Sequence, residues 1–255
     1  MLVAVVLRLV PDLSGEFEIA DDGKDIDREW IGMRLNEFDD HALEEAILLK
    51  EAEGATVIAL ALAGEGVDRM LQSAIARGAD RAVKIFHSAE VGLSSRAAAP
   101  VIAAAVRQLG VELVLTGVQT PEDLFGQLAP YLGAMLDWPH VSAVAGVQRS
   151  GDSIEVQQEY SGGVSATLRL VLPAVIGVQT ASQPPRYVSG SKLRQAMSEP
   201  IAVLESDAMP AADTVEILAL REPTRTSEAI MLEGDAETVA DKLHDLFAER
   251  GLVRA

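Results

Sequence analysis

Four short aliphatic runs, at residues 2–7, 56–60, 81–85 and 113–116, alternate with helical periodicity through the first half of the chain, and this alternation restricts the fold more than any other feature. Strands separated by helices cannot close tight hairpins, so they pair in parallel through crossover connections, with helices covering the sheet. Leu43, Ala46 and Ile47 share one face of the first expected helix, for which Asp39 is a candidate cap. Val67, Met70, Leu71, Ala74 and Ile75 share one face of the second, which Gly78 can close. A third helix carries Val101, Ile102, Ala105 and Val106 and runs to Leu109 and Gly110. Proline fits only the first turn of a helix, so Pro100 leaves the start of the third open. A fourth is expected to begin near residues 121–123, with Asp123 as its cap.

From about Val141 the pattern turns to β, with alternating segments at 153–160 and 167–172, a Gly162-Gly163 turn between them, and an apolar strand at 174–178. Beyond Thr180, prolines at 184, 185, 200, 210 and 223 interrupt a stretch whose main apolar run is 215–220. Compact domains seldom contain such a stretch, so it is expected to be an extended arm. A terminal amphipathic helix follows, capped by Asp235, with Val239, Leu243, Leu246 and Phe247 on one face and Gly251 at its end. The arm either lies on a partner subunit or folds back on its own domain. The expected organisation is an α/β domain over 1–182, a doubly wound, mostly parallel sheet plus a β hairpin, and an arm over 183–255 ending in a helix.

Composition narrows the functional classes. The 255 residues hold 21 Lys and Arg against 39 Asp and Glu, a formal charge of −18, which repels nucleic acid and anionic lipid as main partners. Aromatic residues are 4%, too sparse for single-strand stacking platforms. With no cysteine, thiolate metal sites, disulfides and Cys nucleophiles are excluded, and a redox role needs a bound organic cofactor. The four histidines, His41, His87, His140 and His244, lack metal-ligand spacing. No apolar run reaches the length of a membrane span, no basic leader precedes the first strand, and a cytoplasmic location without membrane insertion is expected.

Nucleotide motifs are incomplete. Gly64-Glu-Gly66-Val-Asp-Arg69 places arginine where a dinucleotide loop has its third glycine, and Ser161-Gly-Gly163 lies in a hairpin rather than at a helix start. Ser94-Ser95 fits helix capping, and the acids Asp39-Asp40 and Glu44-Glu45 fit the positive end of a helix dipole. Position is more informative than motif, because open α/β sheets bind ligands beyond the carboxyl ends of their strands. The segments there are the stretch after Val10, residues 36–39, residues 62–64, and residues 117–127, rich in glycine and side-chain amides. These are either ordinary βα loops capped by Asp39 and Asp123 or the rim of a phosphate-binding cleft.

The order of these segments resembles the β (small) subunit of electron-transfer flavoproteins over essentially the whole chain. The carrying residues are Leu2-Val-Ala-Val5 with Val10-Pro-Asp12, Asn36-Glu-Phe-Asp39, Ala42-Leu-Glu-Glu-Ala46, Ala74-Ile-Ala-Arg-Gly-Ala-Asp80, Glu112-Leu-Val-Leu-Thr-Gly117, Leu136-Asp-Trp-Pro139, Glu159-Tyr-Ser-Gly-Gly163, Leu172-Pro-Ala-Val175 and Pro185-Arg-Tyr187. The resemblance implies an adenine nucleotide α-hydrolase-like fold and a heterodimer with an α subunit that carries redox FAD. It implies electron flow from a flavin dehydrogenase to a quinone oxidoreductase or other acceptor. This chain would be a carrier subunit rather than an enzyme, holding AMP or a second FAD. The cofactor positions it implies are Ala4, Asn36, Phe38, Asp39, Leu62, Gly64, Gly117, Gln119, Thr120, Asp123 and Gln127. The partner-docking positions are Arg186, Tyr187, Gly190, Lys192 and Leu193. Departures are Leu124-Phe125 in the phosphate loop, Leu13 where relatives place a tyrosine beside the flavin, and Gly190 at the docking leucine. A second reading, a stand-alone ATP sensor resembling universal stress proteins, leaves everything after Val141 without a counterpart.

Overall fold

The computed structural model describes residues 1–87, 94–123, 125–212, 216–224 and 229–253. Strands β1 (Leu2–Val6), β4 (Thr56–Leu62), β5 (Arg81–Phe86) and β6 (Leu113–Gly117) occupy the four aliphatic runs. A short ribbon, β2 (Leu9–Pro11) with β3 (Met33–Leu35), carries an excursion over 12–32 between β1 and the first helix. Helix α1 (Glu37–Glu53) leads to β4, α2 (Val67–Arg77) to β5, α3 (Ser95–Leu109) to β6 and α4 (Leu128–Leu136) to β7 (His140–Ser150). Then come β8 (Ser153–Tyr160), β9 (Val164–Val171), β10 (Ala174–Val178), α5 (Gly190–Ala196), β11 (Ala202–Glu205) and α6 (Ala236–Glu249).

One nine-stranded sheet runs β11-β5-β4-β1-β6-β10-β7-β8-β9, parallel from β11 to β7 and antiparallel at β8 and β9. Because β4 lies on one side of β1 and β6 on the other, the winding direction reverses between β1 and β6. Residues of α1 and α2 pack with Val3, Val5, Val57 and Ala59 on one face of the sheet. Residues of α3 and α4 pack with Ala4, Val6, Ile58 and Val114 on the other. Strands covered on both faces are apolar at nearly every position, as in β1, most of β4 and β6, whereas β5, near the edge, carries Arg81 and Lys84. This is the doubly wound architecture expected.

Several boundaries differ from the sequence reading. Helix α4 starts at Leu128, not near 121–123, because Gly126 N–H bonds the Asp123 carbonyl at 3.1 Å and turns the loop back first. Gly126 has φ +55° there, and a Cβ would lie 2.4 Å from the Val118 carbonyl oxygen. Helix α3 begins at Ser95, with the Ser94 hydroxyl accepting Ala97 N–H at 3.2 Å, so Pro100 sits past its first turn. β7 and β11 are additional strands. β7 contains Ala143 at φ +60° and shifts register against both neighbours, a bulge that breaks strict alternation. β11 extends the sheet from within the Pro-rich segment, pairing with β5 in parallel.

The arm therefore follows its own body at first. Beyond β11, Ala211 N–H bonds the Ala97 carbonyl at 3.2 Å, Lys24 pairs with Glu216 at 3.2 Å, and Leu220 N–H reaches the Gly23 carbonyl at 2.7 Å. Of the expected apolar run 215–220, Val215 lies outside the described residues. Helix α6, capped by Asp235 through Thr238 N–H at 2.9 Å, buries none of its residues.

Candidate functional site

The carboxyl ends of β4, β1 and β6 emerge side by side at the reversal point, and most of the predicted nucleotide residues lie on the loops that leave them. Asn36 precedes α1 and is buried. Its side chain does not cap the helix; Asn36 Nδ2 donates to the Gln119 carbonyl at 2.9 Å, and its N–H donates to the Arg8 carbonyl at 2.9 Å. Asp39 is not the cap either. It lies in the first turn, fully buried, and its carboxylate accepts four hydrogen bonds: from Arg8 N–H and Nε at 2.9 Å each, Arg8 Nη2 at 2.7 Å, and Gly117 N–H at 2.9 Å. A carboxylate removed from water needs such partners, and these are supplied by Arg8, just beyond β1, and by the end of β6 rather than by the helix's own amides.

Arg8 is the residue that sequence reasoning missed; the visible signal is one charge in an otherwise apolar run, 2–10. Gly117 and Phe38 meet closely beneath Asp39: a Cβ on Gly117 would be 2.6 Å from the Phe38 carbonyl carbon. Thr120, buried, accepts Asp123 N–H on its hydroxyl at 3.0 Å. The Asp123 carboxylate accepts the Ser95 hydroxyl at the start of α3, so Asp123 links two loops and caps neither helix. Gln119 and Gln127 are exposed, as is Gly64; Leu62 and Phe38 are half-buried. Ala4 stands apart in the middle of β1, fully buried between Ile58 and Val114. Leu124 lies outside the described residues.

The excursion over 12–32 is tied to this rim. Arg28 bonds Asp25 through Nε at 3.0 Å and Nη2 at 3.1 Å, and also holds Glu122. The hydrogen bond from Arg28 keeps the Asp25 carboxyl below its ordinary range despite partial burial. A lowered folded-state pKa contributes stability above the unfolded value and loses it as pH falls through the folded one. Acidification below about pH 4, the ordinary Asp value, is therefore expected to loosen the contact of Arg28 with Asp25. Trp30, 86% exposed at the end of the excursion, reports this as a fluorescence change absent from Asp25→Asn.

A second cluster holds residues 181–187 on α1. Glu44 and Glu45 do more than complement the helix dipole: both are buried, and Glu45 accepts Val147 N–H at 3.2 Å and Ser182 N–H. Glu44 accepts Arg186 N–H at 3.0 Å and its guanidinium at 2.8 to 3.1 Å. Arg186 also forks onto Glu51, at 2.5 and 3.0 Å, holding that carboxyl below its usual range. His41 Nδ1 accepts Ala181 N–H at 3.1 Å. Arg186 is thus an anchor, whereas the next residue, Tyr187, is 93% exposed. α5 follows, capped by Ser189, with Gly190 and Lys192 exposed, Leu193 half-buried, and Ala196 packed beneath. Gln72 of α2 donates to the Met197 carbonyl at 3.1 Å, fixing the far end.

Comparison with known proteins adds the decisive observation: residues 25–209 match the model described as "Electron transfer flavoprotein domain". The chain belongs to the electron transfer flavoprotein family, in its β-subunit branch. It is 28% identical over 260 residues to "Electron transfer flavoprotein subunit beta" of Methylophilus methylotrophus, covering 98% of both chains. It is 29% identical over 242 residues to the protein of that name from Mus musculus, covering 93% of this chain and 91% of that one. To the "Acryloyl-CoA reductase electron transfer subunit gamma" of Anaerotignum propionicum it is 28% identical over 264 residues, covering 97% and 98%. Among the described residues no helix is long and apolar enough to cross a membrane, and no group of three His, Asp or Glu side chains could hold a metal ion.

Proposed function

We propose that this chain is the β subunit of a heterodimeric electron-transfer flavoprotein, a scaffold and docking subunit rather than a catalyst. The observation that carries the reading beyond family membership is α6. Its apolar face keeps Leu243 and Phe247 at 37% and 42% exposure, and Ile230 and Met231 before it at 71% and 81%. An amphipathic helix with no buried side chain requires a surface from another chain, and an α subunit is the partner that fits. That subunit would carry the redox FAD, taking electrons from a flavin dehydrogenase and passing them to a quinone oxidoreductase or another acceptor.

The rim at β1, β4 and β6 suits an adenine nucleotide, AMP or a second FAD. The exposed amides of Gln119 and Gln127 are available to it. The first turn of α4, which Gln127 precedes, carries no acid, whereas that of α1 carries three and the start of α3 already holds the Asp123 carboxylate on Ser95, so α4 is the helix whose positive end suits phosphate. Thr120 and Asp123 would shape the phosphate side, and Asn36, Phe38, Leu62 and Gly64 the nucleoside side. The bound flavin supplies the redox chemistry; this chain binds, orients and presents it. Ser189 to Met197, anchored through Arg186, would form the docking face.

The test is to purify the chain with its partner, denature the complex and identify the released nucleotides. FAD with an equal amount of AMP is the expected result for a carrier with a structural nucleotide, and two FAD per complex would place a flavin on this chain. A chain that purifies alone and releases ATP without flavin overturns the proposal in favour of a nucleotide sensor.

A further inference from the structure

We propose that Arg8 is the positioning residue of the nucleotide cleft, fixing two of its walls through the buried Asp39 without itself being consumed as a ligand. The inference rests on the cleft reading given above. Arg8 lies just beyond the end of β1 and uses its main chain and side chain together. Its N–H and Nε each reach Asp39 Oδ2 at 2.9 Å, Nη2 reaches Asp39 Oδ1 at 2.7 Å and the Gly117 carbonyl at 3.3 Å, and its carbonyl accepts Asn36 N–H at 2.9 Å. Asp39 Oδ1 also takes Gly117 N–H at 2.9 Å, and Asn36 Nδ2 takes the Gln119 carbonyl at 2.9 Å. The guanidinium therefore reinforces the two direct links between the loop over 36–39 and the loop over 117–120, bridging Asp39 to the Gly117 carbonyl.

The geometry explains why the residue is arginine. A planar fork satisfies both oxygens of a carboxylate that is 0% exposed while leaving a third bond for Gly117, and the Arg8 side chain remains 20% exposed at the edge of the cleft. Lysine offers a single point of charge and cannot span Asp39 and the Gly117 carbonyl together. Removing the guanidinium strands a buried carboxylate with only two amide partners, and the two loops relax relative to each other. Residues that hold a site's walls through a second residue affect binding by displacement, not by lost contact.

The experiment uses the heterodimer stripped of nucleotide, titrated calorimetrically with AMP and, separately, with FAD. Arg8→Met is expected to weaken the bound nucleotide by about tenfold or more, the scale of a charge-assisted hydrogen bond, with Arg8→Lys falling between it and the parent. Val156→Ala, in the core of the β7–β8–β9 hairpin, serves as a control that lowers the melting temperature without moving affinity. If Arg8→Met does not fold, Arg8→Lys carries the test alone. Affinity within twofold of the parent for the variants that fold overturns the proposal, as does a loss no larger than that of a hairpin variant with the same melting temperature. A parent complex that binds neither AMP nor FAD overturns the cleft reading itself, and the positioning role falls with it.

Discussion

Replacing Gly117 by alanine is expected to destabilise this protein strongly and to disturb the candidate site at the same time. Gly117 closes β6 at the point where α1 begins, and the added Cβ would lie 2.4 Å from Asp39 Oδ1 and 2.6 Å from both Asp39 N and the Phe38 carbonyl carbon. Two of those three atoms are backbone, so no rotamer change relieves the contact; the first turn of α1 must move away from the sheet. Overpacking of this kind costs about 3 kcal/mol, which for a chain of this size lowers the melting temperature by roughly 6 to 12 °C. The same shift stretches the Arg8–Asp39 fork, so nucleotide content should fall with stability. Gly15→Ala is the control: its Cβ would meet nothing within 4 Å, and its melting temperature should match the parent. Scanning calorimetry of the purified complex distinguishes these outcomes, and a Gly117→Ala variant that melts like the parent would show that α1 can yield.

The second large effect is expected from removing residues 234–255. That segment contains α6, which has an apolar face and no buried residue, so its deletion takes nothing from the core of the sheet. Co-purification with the α subunit should be lost while the remaining chain melts at its original temperature. The hydrogen bonds of the arm at Ala211 and Leu220 lie upstream of the cut and survive it. Retained co-purification would mean that α6 folds back on its own chain and that the interface lies elsewhere.

What was legible in the sequence follows from where the free energy of folding is concentrated. β1, β4 and β6 are covered on both faces, so their composition alone marks them, and β5 shows its buried Ala82, Val83 and Ile85 beside charged positions. α2 and α3 show their apolar stripes because one side meets the sheet and the other meets water. β7 was legible only as a change of character near Val141, since its bulge at Ala143 breaks the alternation. β11, Ala-Val-Leu-Glu among prolines, is mostly exposed, so its pairing with β5 rests on main-chain bonds that carry no side-chain signature. The rim of the candidate site was located by the rule that ligands lie beyond strand ends. Its internal wiring was not: an acid beside a helix start looks like a cap, and the partner that draws Asp39 inward lies 31 residues earlier. Glu44, whose partner is 142 residues away, was obscured in the same way.

The place of β10 in the sheet also bears on how the molecule is made. β10 is synthesised after the β7–β8–β9 meander yet lies between β6 and β7, so while a ribosome is still short of Val178 the amino-terminal strands and the meander have no common seam. At translation rates of about 5 to 20 residues per second, the growing chain spends seconds with β6 and β7 each presenting an open edge. Residues 1–178 already hold 13 Lys and Arg against 26 Asp and Glu, an excess of negative charge that would keep neighbouring nascent copies apart until the late strand arrives.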